Sequence, residues 1–278
     1  MKVRAVLFDL DDTLVVQRAS DEAALLAACR LGASDEEGAA RLAAALRDHA
    51  ARLWYEAPTA EYCRAVGINP IEGLWAGFDG DDPPLRELAA WASTYHRGAW
   101  HGALAACGID DPALAAGLAL SFQEERRSRH HLFPEVHAVL GSLQQHYTLG
   151  VVTNGAPDLQ REKYFGTDLA GYFETFIASG DLGIGKPDRR IFSTAMLRLG
   201  AWAEETVMVG DSLSCDILGA QNAGLRAVWI DRLGEATTQQ QIMPDACLQS
   251  LSHLDALLSG WSTAATPQHA LSDAHSFR

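Results

Sequence analysis

Val3-Arg4-Ala5-Val6-Leu7-Phe8-Asp9-Leu10-Asp11-Asp12-Thr13-Leu14 opens with an apolar run and ends in three carboxylates within four positions. Successive apolar residues, two of them β-branched valines, suit a strand covered on both faces in a parallel sheet. The acids arrive where the apolar run stops, at the strand's C-terminal end. In open α/β sheets that edge is where ligands sit. Asp9 and Asp11 are two apart, so an extended chain projects both to one side. Carboxylates held that close repel and invite a cation. The bland alternative is a solvated turn after an ordinary strand, and the stretch alone does not separate the two.

Three later strand ends tip the balance. Leu149-Gly150-Val151-Val152 runs into Thr153-Asn154-Gly155, a hydroxyl and an amide able to donate to a phosphate. An ordinary Asn-Gly turn reads the same way. Gly185-Lys186-Pro187-Asp188 places a lysine at a helix entrance. Its spacing back to Gly180 imitates a nucleotide-binding P-loop, but Pro187 stands where that loop needs Ser or Thr. What remains is a lysine placed to neutralise a phosphoryl oxygen, or a solvated lysine. Val207-Met208-Val209-Gly210 ends in Asp211-Ser212-Leu213-Ser214-Cys215-Asp216, a second acidic cluster. Asp216 could simply be a first-turn acid on its helix dipole, whereas Asp211 has no comparable structural task. Together the four signals converge on one edge of one sheet.

The rest of the chain fits that sheet. From about 20 to 131 the pattern is helical, with marked ends. Ser20 is expected to cap one helix that stops near Gly32, and Ser34 with Glu37 reads as a capping box for the next. Thr59 to Val66 closes at Gly67, while Asp82-Pro83-Pro84 and Asp111-Pro112 open two further helices. From Phe133 helices alternate with strands at 148–152, 175–178, 206–209 and 227–230. This predicts an α/β fold with a doubly wound parallel sheet and an inserted all-helical unit. The division is 1–19 and 132–260 for the α/β core and 20–131 for the insertion. Residues 235–260 read as peripheral with a final helix near 251–258, and 261–278 as a flexible tail.

The 278 residues are 48% hydrophobic and 21% charged, a globular balance. A net charge of −14 argues against nucleic acid or an anionic membrane as partner. Five scattered cysteines, Cys29, Cys63, Cys107, Cys215 and Cys247, show neither disulfide nor zinc spacing, which fits a reducing compartment. Without a signal peptide or a membrane-length apolar run, the protein is expected to be cytoplasmic.

The motifs make the sequence similar to the haloacid dehalogenase (HAD) superfamily of hydrolases. Asp9-Leu10-Asp11-Asp12-Thr13 matches its DxDxT motif, Thr153 its second motif, Lys186 its third, and Asp211 with Asp216 its fourth. The resemblance covers 3–20 and 133–231, and the helical insertion resembles the family's helical cap. Phe133 to Ile230 looks most similar to the branch holding N-acylneuraminate-9-phosphatase and pyrimidine 5′-nucleotidase-like enzymes.

The resemblance implies a first strand central in the sheet and a phosphatase using Mg²⁺, a hard cation suited to an all-oxygen site. It makes Asp9 the nucleophile that forms an aspartyl-phosphate, and Asp11 the acid and then base. Asp9, Asp211 and the Asp11 backbone carbonyl would be metal ligands, with Asp216 behind them or acting through water. Thr153, Asn154 and Lys186 would hold the phosphate of a small phosphorylated substrate. The superfamily's dehalogenases lack an acid two residues after the nucleophile, so Asp11 favours the phosphatases. Phosphomutase and 2-haloacid dehalogenase remain as alternatives on the same core, as does a non-catalytic binding protein.

Two features of the insertion leave the substrate open. Trp54, Tyr55, Tyr62, Trp75, Phe78, Trp91, Tyr95 and Trp100 are aromatic enough for a leaving-group pocket, but such residues on amphipathic helices are usually core. The basic run Arg126-Arg127-Ser128-Arg129-His130-His131 reads as a solvated hinge rather than an anion site. Oligomeric state is not encoded in any of these patterns.

Overall fold

The computed structural model describes residues 2–234 and 241–263. The 261–278 tail expected from the sequence therefore lies largely outside the described residues. After β1 (Ala5–Phe8) the chain leaves the sheet for α1 (Arg18–Leu31), α2 (Glu36–Tyr55), α3 (Ala60–Val66), α4 (Pro70–Gly73), α5 (Pro83–Ala106) and α6 (Pro112–Arg127). It returns through α7 (Val136–Leu143), β2 (Thr148–Thr153), α8 (Pro157–Gly166), β3 (Thr175–Ala178), α9 (Ser179–Leu182), α10 (Arg189–Leu199) and β4 (Thr206–Gly210). A π-helical turn at Leu213–Ile217 runs into α11 (Leu218–Asn222), followed by β5 (Arg226–Ile230), β6 (Ala246–Leu248) and α12 (Leu254–Thr263).

The six strands form one parallel sheet in the order β3-β2-β1-β4-β5-β6. Central β1 is buried at every residue, as its unbroken apolar run requires. Val6 and Phe8 pack to one face with Val151, Val209 and Leu140, while Leu7 packs to the other with Met208, Ile191 and Phe192. A third core, within the helical insertion, gathers Leu42, Leu46, Trp75, Trp100 and Phe122 and reaches Leu159 of α8 and Ala156, the residue before it.

Several expectations are corrected. Ser20 lies inside α1 and donates to Val16 O rather than capping the helix. The helix N-terminus is instead held by Asp12 Oδ1, which accepts from Gln17 N and Arg18 N, both at 3.0 Å. The cap of α2 is Asp35, accepting from Gly38 N, not Ser34. The segment after 235 is not merely peripheral, since Ala246–Leu248 adds a sixth strand beside β5.

The basic run is solvated only in part, with Arg127, Ser128 and His131 exposed. Arg126 is fully buried, ion-paired with Asp21 and bonded to Gln17, with its guanidinium 4.6 Å from the Trp75 ring. Most of the aromatics are core, as their helical spacing suggests: Trp54, Trp75, Phe78, Tyr95 and Trp100 are buried. Tyr55 is exposed, and Tyr62 reaches out of the insertion to donate to Gly180 O at 2.8 Å.

Candidate active site

The register brings the four chemical strand ends level. Phe8 pairs with both Val151 and Val209, so Asp9 emerges beside the ends of β2 and β4. Asp9 N donates to Val209 O at 2.9 Å, extending the ladder one residue into the motif. Immediately beyond, Asp12 takes φ 57, turning the chain out of the sheet and towards α1.

Carboxylate oxygens of Asp9, Asp211 and Asp216 lie within 4.8 Å of one another. Lys186 Nζ is 2.5 Å from Asp9 Oδ1 and 2.7 Å from Asp216 Oδ1. Asp9 and Asp216 thus share one buried ammonium, with Asp211 beside them in the cluster. Burial pushes the Asp9 carboxyl up to about 7; Lys186 opposes that rise while Asp216 and Asp11 add to it. Burial likewise pushes Asp211 up to about 8, helped by repulsion from Asp9, Asp216 and Asp12. Burial works against the charge of Lys186, but Asp216 and Asp9 more than offset it and hold its pKa above the ordinary lysine value. An all-oxygen donor set with surplus negative charge fits a hard divalent cation.

The predicted site residues fall into two groups. Asp9, Lys186, Asp211 and Asp216 meet directly. Asp11 does not join their cluster with its side chain: Lys163 Nζ lies 2.8 and 2.6 Å from its two oxygens. Thr153 Oγ1 donates to Gln160 Oε1 at 2.9 Å. Asn154 brackets the backbone of Lys186, its Nδ2 donating to Lys186 O at 2.9 Å and its Oδ1 accepting from Lys186 N at 2.8 Å. In this state Asn154 therefore shapes the loop that aims Lys186.

The insertion is seated on the same loops. Gly155 N donates to Val66 O at 3.0 Å, and Ala156 N to Glu72 Oε1 at 3.1 Å. Gly67, at φ 77, passes so close that a Cβ there would lie 2.9 Å from Asn154 Cβ. Beside the acids, a cavity of about 500 Å³ lined by Asp12, Val16, Arg18, Phe133, Asp211 and Trp229 opens between α1 and the end of β5.

Three buried polar residues in this neighbourhood are not evident from sequence: Glu72, Gln160 and Lys163. Gln160 and Lys163 are three apart on α8, directly after Thr153-Asn154-Gly155, and so share a helix face. That spacing is the one available signal. Glu72 carries none, because its partners lie 84 and 88 residues away.

Among the described residues no helix is long and apolar enough to cross a membrane. The chain is similar to several known proteins. Phosphoserine phosphatase of Thermus thermophilus is 39% identical over 231 residues, covering 83% of this chain and 89% of that protein. N-acylneuraminate-9-phosphatase of Rattus norvegicus is 28% identical over 260 residues, 92% of this chain and 94% of that protein. The crystal structure of a 2-haloacid dehalogenase from Pseudomonas syringae pv. Tomato DC3000 is 35% identical, with a TM-score of 0.53 over 93% of this chain and 99% of that chain. A family model for haloacid dehalogenase-like hydrolases matches residues 3–224, and with the motifs convergent on one sheet edge the chain belongs to that family.

Proposed function

We propose that this chain is a phosphatase that hydrolyses a small phosphorylated metabolite through an aspartyl-phosphate on Asp9, with Mg²⁺ as its cation. The observation that carries this reading is the meeting of Asp9, Asp211 and Asp216 at the strand edge, with Lys186 paired to Asp9 and Asp216. Asp9 and Asp211 would hold Mg²⁺ with their side chains and Asp11 with its backbone carbonyl, while Asp216 stands behind them or acts through water. When bound, the cation screens the approach of an anionic nucleophile to an anionic phosphate.

Asp9 attacks phosphorus in line, and Lys186 offsets charge on the transferring oxygens. Asp11 protonates the leaving oxygen and afterwards takes the proton of the hydrolytic water. Thr153 and the backbone amides after it position the phosphate, and the insertion serves as a cap that shields the site from water. Asp11 is what favours this over a dehalogenase, since a departing halide needs no proton. The similarity to phosphatases named for phosphoserine and N-acylneuraminate 9-phosphate places both compounds first on the substrate panel.

The test is phosphate release from a panel of phosphorylated metabolites, with and without Mg²⁺, for wild type and Asp9→Asn. Mg²⁺-dependent turnover that disappears in the variant supports the reading. Turnover that survives in Asp9→Asn, or 2-haloacid turnover with none on phosphates, overturns it.

A further inference from the structure

We infer that the cavity between α1 and the end of β5 receives the leaving group, and that Arg18 selects a leaving group carrying a carboxylate, resting on the phosphatase reading proposed above. The cavity adjoins the reacting centre. Asp211 lines it, and a carboxylate oxygen of Asp211 lies within 4.8 Å of those of Asp9 and Asp216. A group that parts from phosphorus beside Asp9 therefore leaves next to this space.

The volume, about 500 Å³, is that of a small-molecule site. Much of its wall is apolar. Val16 stands just before α1 and Ala19 in its first turn, Trp229 and Ile230 come from β5, Phe133 precedes α7 and Leu233 follows β5. Trp229 Nε1 donates to Asp211 O at 2.8 Å, so one indole joins the apolar wall to the acidic cluster. Such a wall suits the carbon body of a leaving group.

The charged side chains of the lining are mostly committed elsewhere. Asp12 accepts from Gln17 N and Arg18 N at the start of α1, and Glu22 pairs with Arg47. Asp211 belongs to the acidic cluster, and Asp231 is buried. Arg232 donates to Glu135 and to the carbonyls of Asp12 and Thr13, with its guanidinium against the Phe133 ring. Arg18 differs. Among the described residues its guanidinium has one charged contact, Nε to Asp12 Oδ2 at 4.0 Å, and its side chain is 71% exposed. An exposed pair at that distance contributes little, so the guanidinium stays available to a ligand.

The planar fork of a guanidinium matches a carboxylate. A second phosphate would bring two charges among Asp12, Asp211 and Asp231, whereas a carboxylate brings one. An ammonium would meet acids already committed to a helix end, an arginine and the metal site. The substrate class is therefore the phosphate monoester of a hydroxy acid, with an apolar or ring-shaped body between its hydroxyl and its carboxylate.

The probes are benzyl phosphates that differ only at the para position, which carries a carboxylate, a primary amide or an aminomethyl group. With saturating Mg²⁺, kcat/KM is measured for each, beside acetyl phosphate as a small reference, in wild type, Arg18→Gln, Arg18→Lys and Ala19→Trp. Wild type is expected to favour the carboxylate over the amide by about tenfold, the scale of one charge-assisted hydrogen bond, and to take the amine least. Arg18→Gln should bring the carboxylate-to-amide ratio close to one. Arg18→Lys, which keeps the charge without the fork, should retain part of it. Ala19→Trp fills the cavity from α1 and should lower all the benzyl values against acetyl phosphate. Each ratio is taken within one preparation, so the folded fraction cancels. A wild-type ratio near one, a preference for the amine, or a ratio that survives in Arg18→Gln overturns selection by Arg18. An unchanged benzyl-to-acetyl ratio in Ala19→Trp overturns the placement of the leaving group. Release from acetyl phosphate with none from the benzyl esters overturns the inference and spares the phosphatase reading, whereas no release from any phosphate overturns that reading itself.

Discussion

Lys186 Nζ lies 2.5 Å from Asp9 Oδ1, and both side chains are almost wholly removed from solvent. Asp216 takes the other side of the same ammonium at 2.7 Å. Lysine and a divalent cation thus draw on one set of carboxylates. Removing the ammonium leaves those acids freer for the metal but strips charge compensation from the phosphoryl oxygens. Lys186→Met is expected to bind Mg²⁺ at least as tightly as wild type while losing about 100-fold or more in turnover. Titration calorimetry with Mg²⁺, beside phosphate release, checks both halves. Weaker Mg²⁺ binding in the variant would count against the shared-carboxylate argument.

The crowding of acids also sets how the metal acts on stability. Asp9 and Asp211 are both raised by burial and by repulsion from neighbouring carboxylates, Asp216 and Asp11 for Asp9 and Asp9, Asp216 and Asp12 for Asp211. A cation that binds the folded state and not the unfolded one stabilises by about 2.7 kcal/mol at 100 times its Kd. Mg²⁺ is therefore expected to raise the thermal midpoint of wild type, and Asp211→Asn to lose most of that rise. The same Asp211→Asn protein, measured in EDTA, should melt no lower than wild type, because one repelling charge has gone. Thermal denaturation of both proteins with and without Mg²⁺ decides the matter.

How far the sequence reveals this arrangement depends on the range of the interactions involved. Asp9 and Asp211 were legible because each directly follows a buried strand, Lys186 because it stands at the entrance to the helix after the third strand, and parallel strands bring their ends to one edge. Helix ends were readable only within a residue or two, since Asp35 and Ser34 are chemically equivalent caps and geometry chose Asp35. Strand β6 is three residues with two of them half-buried, too short for any period to mark it. Arg126 sits in a run of charge, which reads as solvated; its burial depends on Asp21 and Gln17, more than a hundred residues earlier. Lys163 was hidden for the same reason, as its partner is 152 residues away.

Arg126 therefore carries a prediction of its own. Its guanidinium is fully buried against Trp75 and pairs with Asp21, whose carboxyl burial pushes above the usual range against the pull of Arg126. Breaking a buried pair by removing one partner typically costs about 3–5 kcal/mol, because the other charge stays behind. Arg126→Leu should lose stability on that scale, and adding Asp21→Asn should restore part of it. Urea unfolding of the single and double variants tests this; additive losses would show that the two side chains are not coupled.

Glu72 gives the pH prediction, because it is buried and stands outside the acidic cluster. Burial pushes its carboxyl up to about 7 from 4.5, against the pull of Lys163 and the hydrogen bonds from Gln160 and Ala156. With its folded pKa raised, the folded state keeps the proton in the window between about 4.5 and 7 while the unfolded state gives it up. Stability contributed by the neutral carboxyl is complete below that window and is lost as pH rises through it. Glu72→Gln has no proton to lose, and its amide oxygen can still accept from Ala156 N. The variant should therefore gain on wild type as pH rises, by about 1–3 kcal/mol between pH 5 and pH 8. Urea unfolding at those two values measures the difference directly. Parallel pH dependences in the two proteins would mean that Glu72 is already ionised at the lower pH, with Lys163 near enough to keep it so.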